Sequence, residues 1–183
     1  FYRDEAVDSN TDGTEEGTMR IYENRTDMDL VCLMEGKIPE AKDEIAIDRM
    51  YADNNSLKVG DKIRIEGIEL DITGLVALSD YSCLFSDNND MMFDSVKFGV
   101  AIMTEDGAER FGTTHLEYRY SWQYEKKPKN DTEAKNMSED FMKVVVKYGT
   151  VTGFIPGYAN QAIQFTGEDM GSDKAMIEVL LYI

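Results

Sequence analysis

Few residues in this chain have types and spacing that suit chemistry. Asp8, Asn10, Asp12 and Gly13 stand at positions 1, 3, 5 and 6 of a calcium-binding EF-hand loop. The pattern then breaks. Glu15 sits where an apolar anchor belongs, Met19 replaces the bidentate acid, and no helical periodicity flanks the loop. A plain Asp-Gly turn accounts for the same residues. His115 is the only histidine, and no serine or carboxylate stands beside it in a triad motif. Acids are too abundant for any one pair to be singled out as a general acid and base. There is no Cys/His metal spacing, no G-x-G-x-x-G and no G-x-x-x-x-G-K-[ST]. The acids of residues 86–90, SDNND, match no metal template and read as a solvated loop. Catalytic, cofactor-binding and metal-ligating residues are therefore expected to be none, and no cofactor is expected.

Two binding features are left. Leu116, Tyr118, Tyr120, Trp122 and Tyr124 alternate with Glu117, Arg119, Ser121 and Gln123. This is the period of an aromatic-rich strand, either a core face or a platform for sugar or peptide. Cys32 and Cys83 make no disulfide framework, and each reads as a small buried apolar residue, with a single bridge between them as the other reading. Sequons at Asn24, Asn54, Asn130 and Asn136 matter only in a eukaryotic secretory host.

The elements that position these residues centre on residues 36–76. Gly36 and Pro39 end the apolar run LVCLM. Glu44–Asp48 alternates as a strand, and Asp48 caps a short helix through Asp53 with Met50 and Tyr51 as its buried residues. Asn54 and Asn55 end that helix in a left-handed conformation. Val59-Gly60-Asp61 turns the chain into a hairpin, Lys62–Ile65 and Leu70–Val76, joined at Glu66-Gly67. Upstream, residues 1–17 are acidic and turn-rich and read as a flexible lead-in, followed by strands at Thr18–Tyr22 and Leu30–Met34. Downstream, Leu78–Phe85 has helical spacing and Phe98–Thr104 is a buried strand. Thr104 caps a short helix to Phe111. The strongest helix is Thr132–Tyr148, with Met137, Phe141, Val144, Val145 and Tyr148 on one face. A strand at Thr150–Phe154, a helical turn at Ala159–Phe165 and a last helix from about Asp169 or Asp173 complete the chain. The elements define an α+β fold with mixed and antiparallel sheets and packed helices. Its lobes are expected near 18–90 and 91–170.

With 183 residues, 42% hydrophobic content, ten Tyr and eight Phe, the chain can build a real core. A net charge of −17 opposes binding to nucleic acid or to anionic lipid. No run reaches the ~18 apolar residues of a spanning helix. The tail Ala175–Ile183 is dense in apolar residues. It reads either as a helix on the core or as the start of a membrane helix, with 171–183 leading into it. No signal peptide precedes Phe1, and the latter reading of the tail makes the chain a fragment.

The central stretch resembles the extracytoplasmic domain of FtsX-like, MacB-type ABC transporter permeases. The pattern G-x-x-P, E-I-x-I, V-G-D and a hairpin ending in V-x-G is carried by Gly36, Pro39 and Glu44–Ile47. It continues through Ala52, Val59–Asp61, Ile63, Gly67 and Ile72–Val76. The resemblance implies a bacterial domain on the outer side of the cell membrane, between two membrane helices, with a porter-like part plus a β-rich lobe. It implies a second permease copy or paralogue and a separate cytoplasmic ATP-binding subunit as partners. It also implies a role in substrate binding or in transmitting conformational change, with no catalysis. The residues alone leave open a secreted acidic module for calcium, carbohydrate or peptide. They give a hydrolase no motif.

Overall fold

The computed structural model describes residues 2–27, 29–162 and 164–165. The chain divides into two compact units, Phe1–Ser86 with Asp90–Ser121, and Asp87–Asn89 with Trp122–Ile183. The expected lobe boundary near residue 90 is thus replaced by one at Ser121/Trp122. The reason is pairing: strands downstream of residue 90 return to a sheet that the first strands began.

The first unit holds β1 (Tyr2–Asp8), β2 (Gly17–Glu23), β3 (Val31–Gly36), β4 (Glu44–Asp48), α1 (Arg49–Asn54), β5 (Lys62–Ile65) and β6 (Ile68–Leu78). It continues with a 3-10 turn at Ser79–Tyr81, β7 (Phe98–Met103), α2 (Glu105–Glu109) and β8 (Leu116–Glu117). Strand neighbours run β2-β7-β4-β6-β5-β1, and β1 pairs again with β2. Six strands therefore close into a ring, with β3 added at β6 and β8 at β1. The β2/β7 and β4/β6 pairs are parallel and the rest are antiparallel. Closure leaves no free edge among the six strands, which is how such sheets avoid unpaired backbone. Side chains such as Met19, Ile21, Ile45, Ile47, Ile63 and Ile102 are wholly buried in the resulting core.

Local chemistry explains the central elements. The Asp48 side chain accepts from Met50 N at 2.8 Å and Tyr51 N at 3.1 Å, fixing the start of α1. Burial raises the Asp48 pKa, against these two backbone bonds. Tyr51 and Ala52 are the buried residues of α1, while Met50 is only half-buried. Asn55 keeps a negative φ of −100°, and Ser56 takes the left-handed turn at φ 58°. Between β5 and β6, Glu66 and Gly67 have φ of 46° and 74°, the two-residue turn whose twist suits a hairpin. Thr104 caps α2 through its bond from Gly107 N at 3.1 Å.

Several expectations are corrected. Residues 1–17 are no flexible lead-in as a whole: Tyr2–Asp8 is a strand paired along its length with β2. Its charges hide it from a hydropathy reading, because Arg3, Glu5 and Asp8 are buried with ionic partners instead of being solvated. Leu78 belongs to β6, and the expected helix after it is reduced to the 3-10 turn Ser79–Tyr81. Strand Leu116–Tyr124 shrinks to Leu116–Glu117, the two residues that find partners on β1. Cys32 is exposed, since β3 pairs with β6 alone and turns most of its apolar residues outward.

The second unit carries α3 (Asp131–Val145), capped by Asn130 through Glu133 N at 2.9 Å. Trp122 stacks on Phe141 and Phe154 at 4.9 and 5.5 Å between centroids. A 3-10 turn follows at Gly157–Ala159, and residues 150–154 form no strand. The last expected helix and the tail Ala175–Ile183 lie outside the described residues.

Gly99 of β7 shows how tightly α1 is set on the ring. A Cβ there would meet the Tyr51 ring at 2.7 Å and the Met19 methyl at 3.0 Å. Gly99→Ala is expected to lower stability by about 1–3 kcal/mol in urea unfolding, the usual size of an overpacking penalty. An unchanged midpoint would mean that Tyr51 moves aside at no cost.

Candidate functional site

Polar side chains concentrate where β1 and β2 pair. Register sets Tyr2 opposite Tyr22 and Asp4 opposite Arg20, so alternate residues of both strands share one face. Arg20 donates from Nε and Nη2 to the two Asp4 oxygens at 2.7 and 2.6 Å. Its Nη1 donates to the Tyr81 hydroxyl at 3.2 Å and the Ser86 carbonyl at 3.0 Å. The same guanidinium lies over the rings of Tyr2 and Phe98, at 4.6 and 5.0 Å. Burial opposes its charge, but the Asp4 bonds and Tyr81 outweigh this and hold the pKa above the usual arginine value. The Tyr22 and Tyr81 hydroxyls share a hydrogen bond at 2.5 Å.

Two more arginines reach this face. Arg25 grips Asp80 at 2.8 and 3.0 Å, lies 3.7 Å from Asp29 and covers the Tyr22 ring at 4.8 Å. Arg119 comes from the segment after β8. It donates to the Tyr2 hydroxyl at 3.0 Å and lies 4.4 Å from that ring's centre. The Tyr2 hydroxyl in turn donates to Glu117. Burial and the Glu117 bond push the Tyr2 pKa up to about 12, against the pull of Arg119 and Arg20. Above this layer opens a cleft of ≈ 540 Å³, walled by residues 22–27 and 29 on one side and by Asp80 and Arg119–Ser121 on the other.

His115 acquires a partner that its sequence neighbours do not supply. Its Nδ1 lies 3.2 Å from Glu5 Oε2, and Glu5 is buried beside Arg3 at 3.6 Å. Arg3 also donates to the Gly112 carbonyl at 2.5 Å and lies over Phe111. The group is a charge-balanced bracket that fastens the residues before β8 to β1. Its signal in sequence was absent because residues 5 and 115 meet only through the sheet.

The loop after β1 uses its acids on its own backbone. Asp8 accepts from Asp12 N and Gly13 N at 3.2 and 2.8 Å and pairs with Arg64 at 3.1 Å. Asp12 accepts from Thr14 N at 2.8 Å, a bond that holds its carboxyl below the usual range. That is turn chemistry. Among the described residues no three His, Cys, Asp or Glu side chains gather as a metal site requires. In the 86–90 loop, Asp87 accepts from Asn89 N at 2.9 Å, and Asp90 from the Ser86 hydroxyl at 2.5 Å.

The aromatic stripe is divided. Tyr118 and Tyr120 are exposed in the first unit, 67% and 84%. Trp122 and Tyr124 belong to the second, where Tyr124 shares a hydrogen bond with Ser138 at 3.1 Å. It is neither one strand nor one core face. No disulfide joins Cys32 and Cys83, and Cys32 is exposed while Cys83 is buried. All four sequon asparagines are exposed. The arginine–tyrosine layer escaped notice in the sequence because Arg20, Arg25 and Arg119 are far apart in the chain and unpatterned.

No family profile and no curated protein matches the chain. Among solved structures it is similar to the extracellular domain of the noncanonic ABC-type transporter YknZ from Gram-positive bacteria. The TM-score is 0.42 at 11% identity, over 79% of this chain and 73% of that one. It is similar also to the periplasmic region of MacB from Actinobacillus actinomycetemcomitans, with TM-score 0.42 at 7% identity, over 82% and 74%.

Tyr2 offers a test of the layer. A phenol held protonated in the folded state adds stability that is complete below its ordinary value of 10.0 and is lost as pH rises through about 12. The stability difference between the parent chain and Tyr2→Phe is therefore expected to shrink across that window. Unfolding followed at a series of alkaline pH values reads it, and a constant difference would place the Tyr2 hydroxyl in water.

Proposed function

We propose that this chain is a non-catalytic extracytoplasmic domain of an ABC transporter permease, working with a cytoplasmic ATP-binding subunit and a second permease copy. The single observation that carries the reading is the ordered pattern of residues 36–76. Its pieces fold as one continuous unit: Glu44–Asp48 as β4, the capped helix α1, the Val59–Asp61 turn and the β5–β6 hairpin. The pattern's glycines hold structural positions. Gly36 and Gly67 have φ of 75° and 74°, and Gly74 lies where a Cβ would meet the Lys37 carbonyl at 2.4 Å.

In such a domain the task is to bind a substrate or to pass on movement, and the closed ring of the first unit favours the second of these. A closed ring with a dense core moves as one body, so displacement at one end is delivered at the other. No described helix is long and apolar enough to cross a membrane. In this reading the membrane helices belong to the parent protein on either side of the chain, and residues 171–183 lead into one of them.

Exposed Cys32 gives a direct test. In intact cells making the parent protein, a membrane-impermeant maleimide is expected to label it at Cys32, and Cys32→Ser is expected to abolish that labelling. Buried Cys83 is expected to react only after denaturation. Labelling of Cys32 that appears only after lysis would place the domain inside the cell and end the transporter reading.

A further inference from the structure

Tyr120 is 84% exposed, although the side chains on both sides of it are tied down. Arg119 donates to the Tyr2 hydroxyl at 3.0 Å and rests on that ring. The Ser121 hydroxyl donates to Asp29 at 3.0 Å. With residues 119 and 121 anchored, the ring between them is held open to solvent. Such a ring is ready to stack on a flat apolar face, and little freedom is lost when it does. Tyr120 also forms part of the wall of the ≈ 540 Å³ cleft above the arginine–tyrosine layer. Among the described residues no aliphatic side chain lines that cleft. Its polar groups have hydrogen-bonding capacity to spare. The Asn24 side-chain amide makes no hydrogen bond among the described residues. Asp27 accepts only from the neighbouring Thr26 hydroxyl, and Arg119 spends one N–H on Tyr2. The arginines are already matched in charge: Arg25 lies 2.8 Å from Asp80 and 3.7 Å from Asp29, and Arg119 shares the Tyr2 hydroxyl with Glu117. Two arginines against four acids leave the lining net negative, in a chain whose net charge is −17.

We infer that this cleft binds a neutral saccharide, with one sugar ring stacked on Tyr120 and its hydroxyls bonded to Asn24, Asp27 and Arg119. A pyranose has an apolar C–H face and a rim of hydroxyls. The cleft presents the complement of both, one open aromatic wall with donors and acceptors around it. Neighbouring hydroxyls fit the paired donors of a guanidinium and the paired acceptors of a carboxylate. An acidic sugar or a phosphate meets the surplus of carboxylates. A peptide finds no aliphatic pocket for its side chains, and such pockets are what peptide and drug-like sites offer. The inference goes beyond the transporter-domain reading and does not depend on it, because the cleft lies wholly within the first unit.

Calorimetric titration of the 183-residue chain tests it, with maltotriose, cellotriose and tri-N-acetylchitotriose as probes. Trigalacturonate, 1,4-diaminobutane and a proline-rich decapeptide serve as anionic, cationic and peptide comparisons. At least one neutral trisaccharide is expected to bind with a Kd below about 10 mM, and each comparison compound about tenfold or more weakly. Tyr120→Ala is expected to weaken the saccharide by about tenfold or more, and Tyr120→Phe to stay within about threefold of the parent, because stacking needs the ring and not the hydroxyl. Asn24→Ala is expected to weaken it about threefold or more. Tyr148→Ala, which removes an equally exposed ring from the second unit, is expected to change nothing. Thermal melting of each variant confirms that it is folded. The inference is overturned if none of the three trisaccharides binds, or if a comparison compound binds as tightly as the best of them. It is equally overturned if folded Tyr120→Ala keeps the parent affinity, or if Tyr148→Ala loses as much as Tyr120→Ala.

Discussion

The pairing of β1 with β2 is the constraint on which the first unit depends. Without it the five strands β2, β7, β4, β6 and β5 form an open sheet with β2 and β5 unpaired on one side. The strand that closes them is among the most charged in the chain. It succeeds because each charge meets an opposite one or a donor on arrival: Asp4 meets Arg20, Glu5 meets Arg3 and His115, and Asp8 meets Arg64. Buried ion pairs add little net stability over apolar packing, yet removing one partner costs about 3–5 kcal/mol. They therefore select a register more than they strengthen it. A slip of one residue would set Asp4 against a neighbour of Arg20 and leave several charges unmatched in the core.

The same pairing places the arginine–tyrosine layer. Tyr2 and Tyr22 come face to face across the strands, their ring centres 5.6 Å apart, and Arg20 covers the Tyr2 ring beside Asp4. Arg119 then rests on Tyr2. The cleft is a by-product of closing the ring, positioned by the same contacts that hold β1. Site and stability are here one network, and its side chains couple energetically in any mutational series.

Much of the middle of the chain was legible from sequence. Asp48 as a cap, Glu66-Gly67 as a hairpin turn, Phe98–Met103 as a buried strand and Thr104 as a cap follow from local rules, and the structure places each element within a residue or two. Residues 1–17 and 118–124 were not legible, for one physical reason. Local periodicity reports which residues avoid water, and it assumes that charged ones seek it. In β1 the buried charges meet partners on β1 itself, on β5 and just before β8, so the strand read as a loop. In residues 118–124 the alternation was real but had nothing to pair with beyond Glu117, so the strand it implied did not form. Likewise the Leu30–Met34 run was correctly extended but wrongly buried, because exposure there depends on how many neighbours β3 has. The cleft was invisible for the same reason: Arg119 and Tyr2 meet only through the sheet.

Ring closure also fixes an order of events during synthesis. β2 lies parallel to β7, with Thr18 against Phe98, so a strand made near the start waits for one made some eighty residues later. Until then the nascent chain can form the β1–β2 and β5–β6 hairpins and pair β4 with β6, but it holds the other side of β4 and the outer side of β2 open. A chain that emerges end first is thus longest in its most adhesive form just before β7 arrives. The charges along β1 then have a second use: they keep the waiting hairpin hydrated and apart from its neighbours until the last strand locks them away from water.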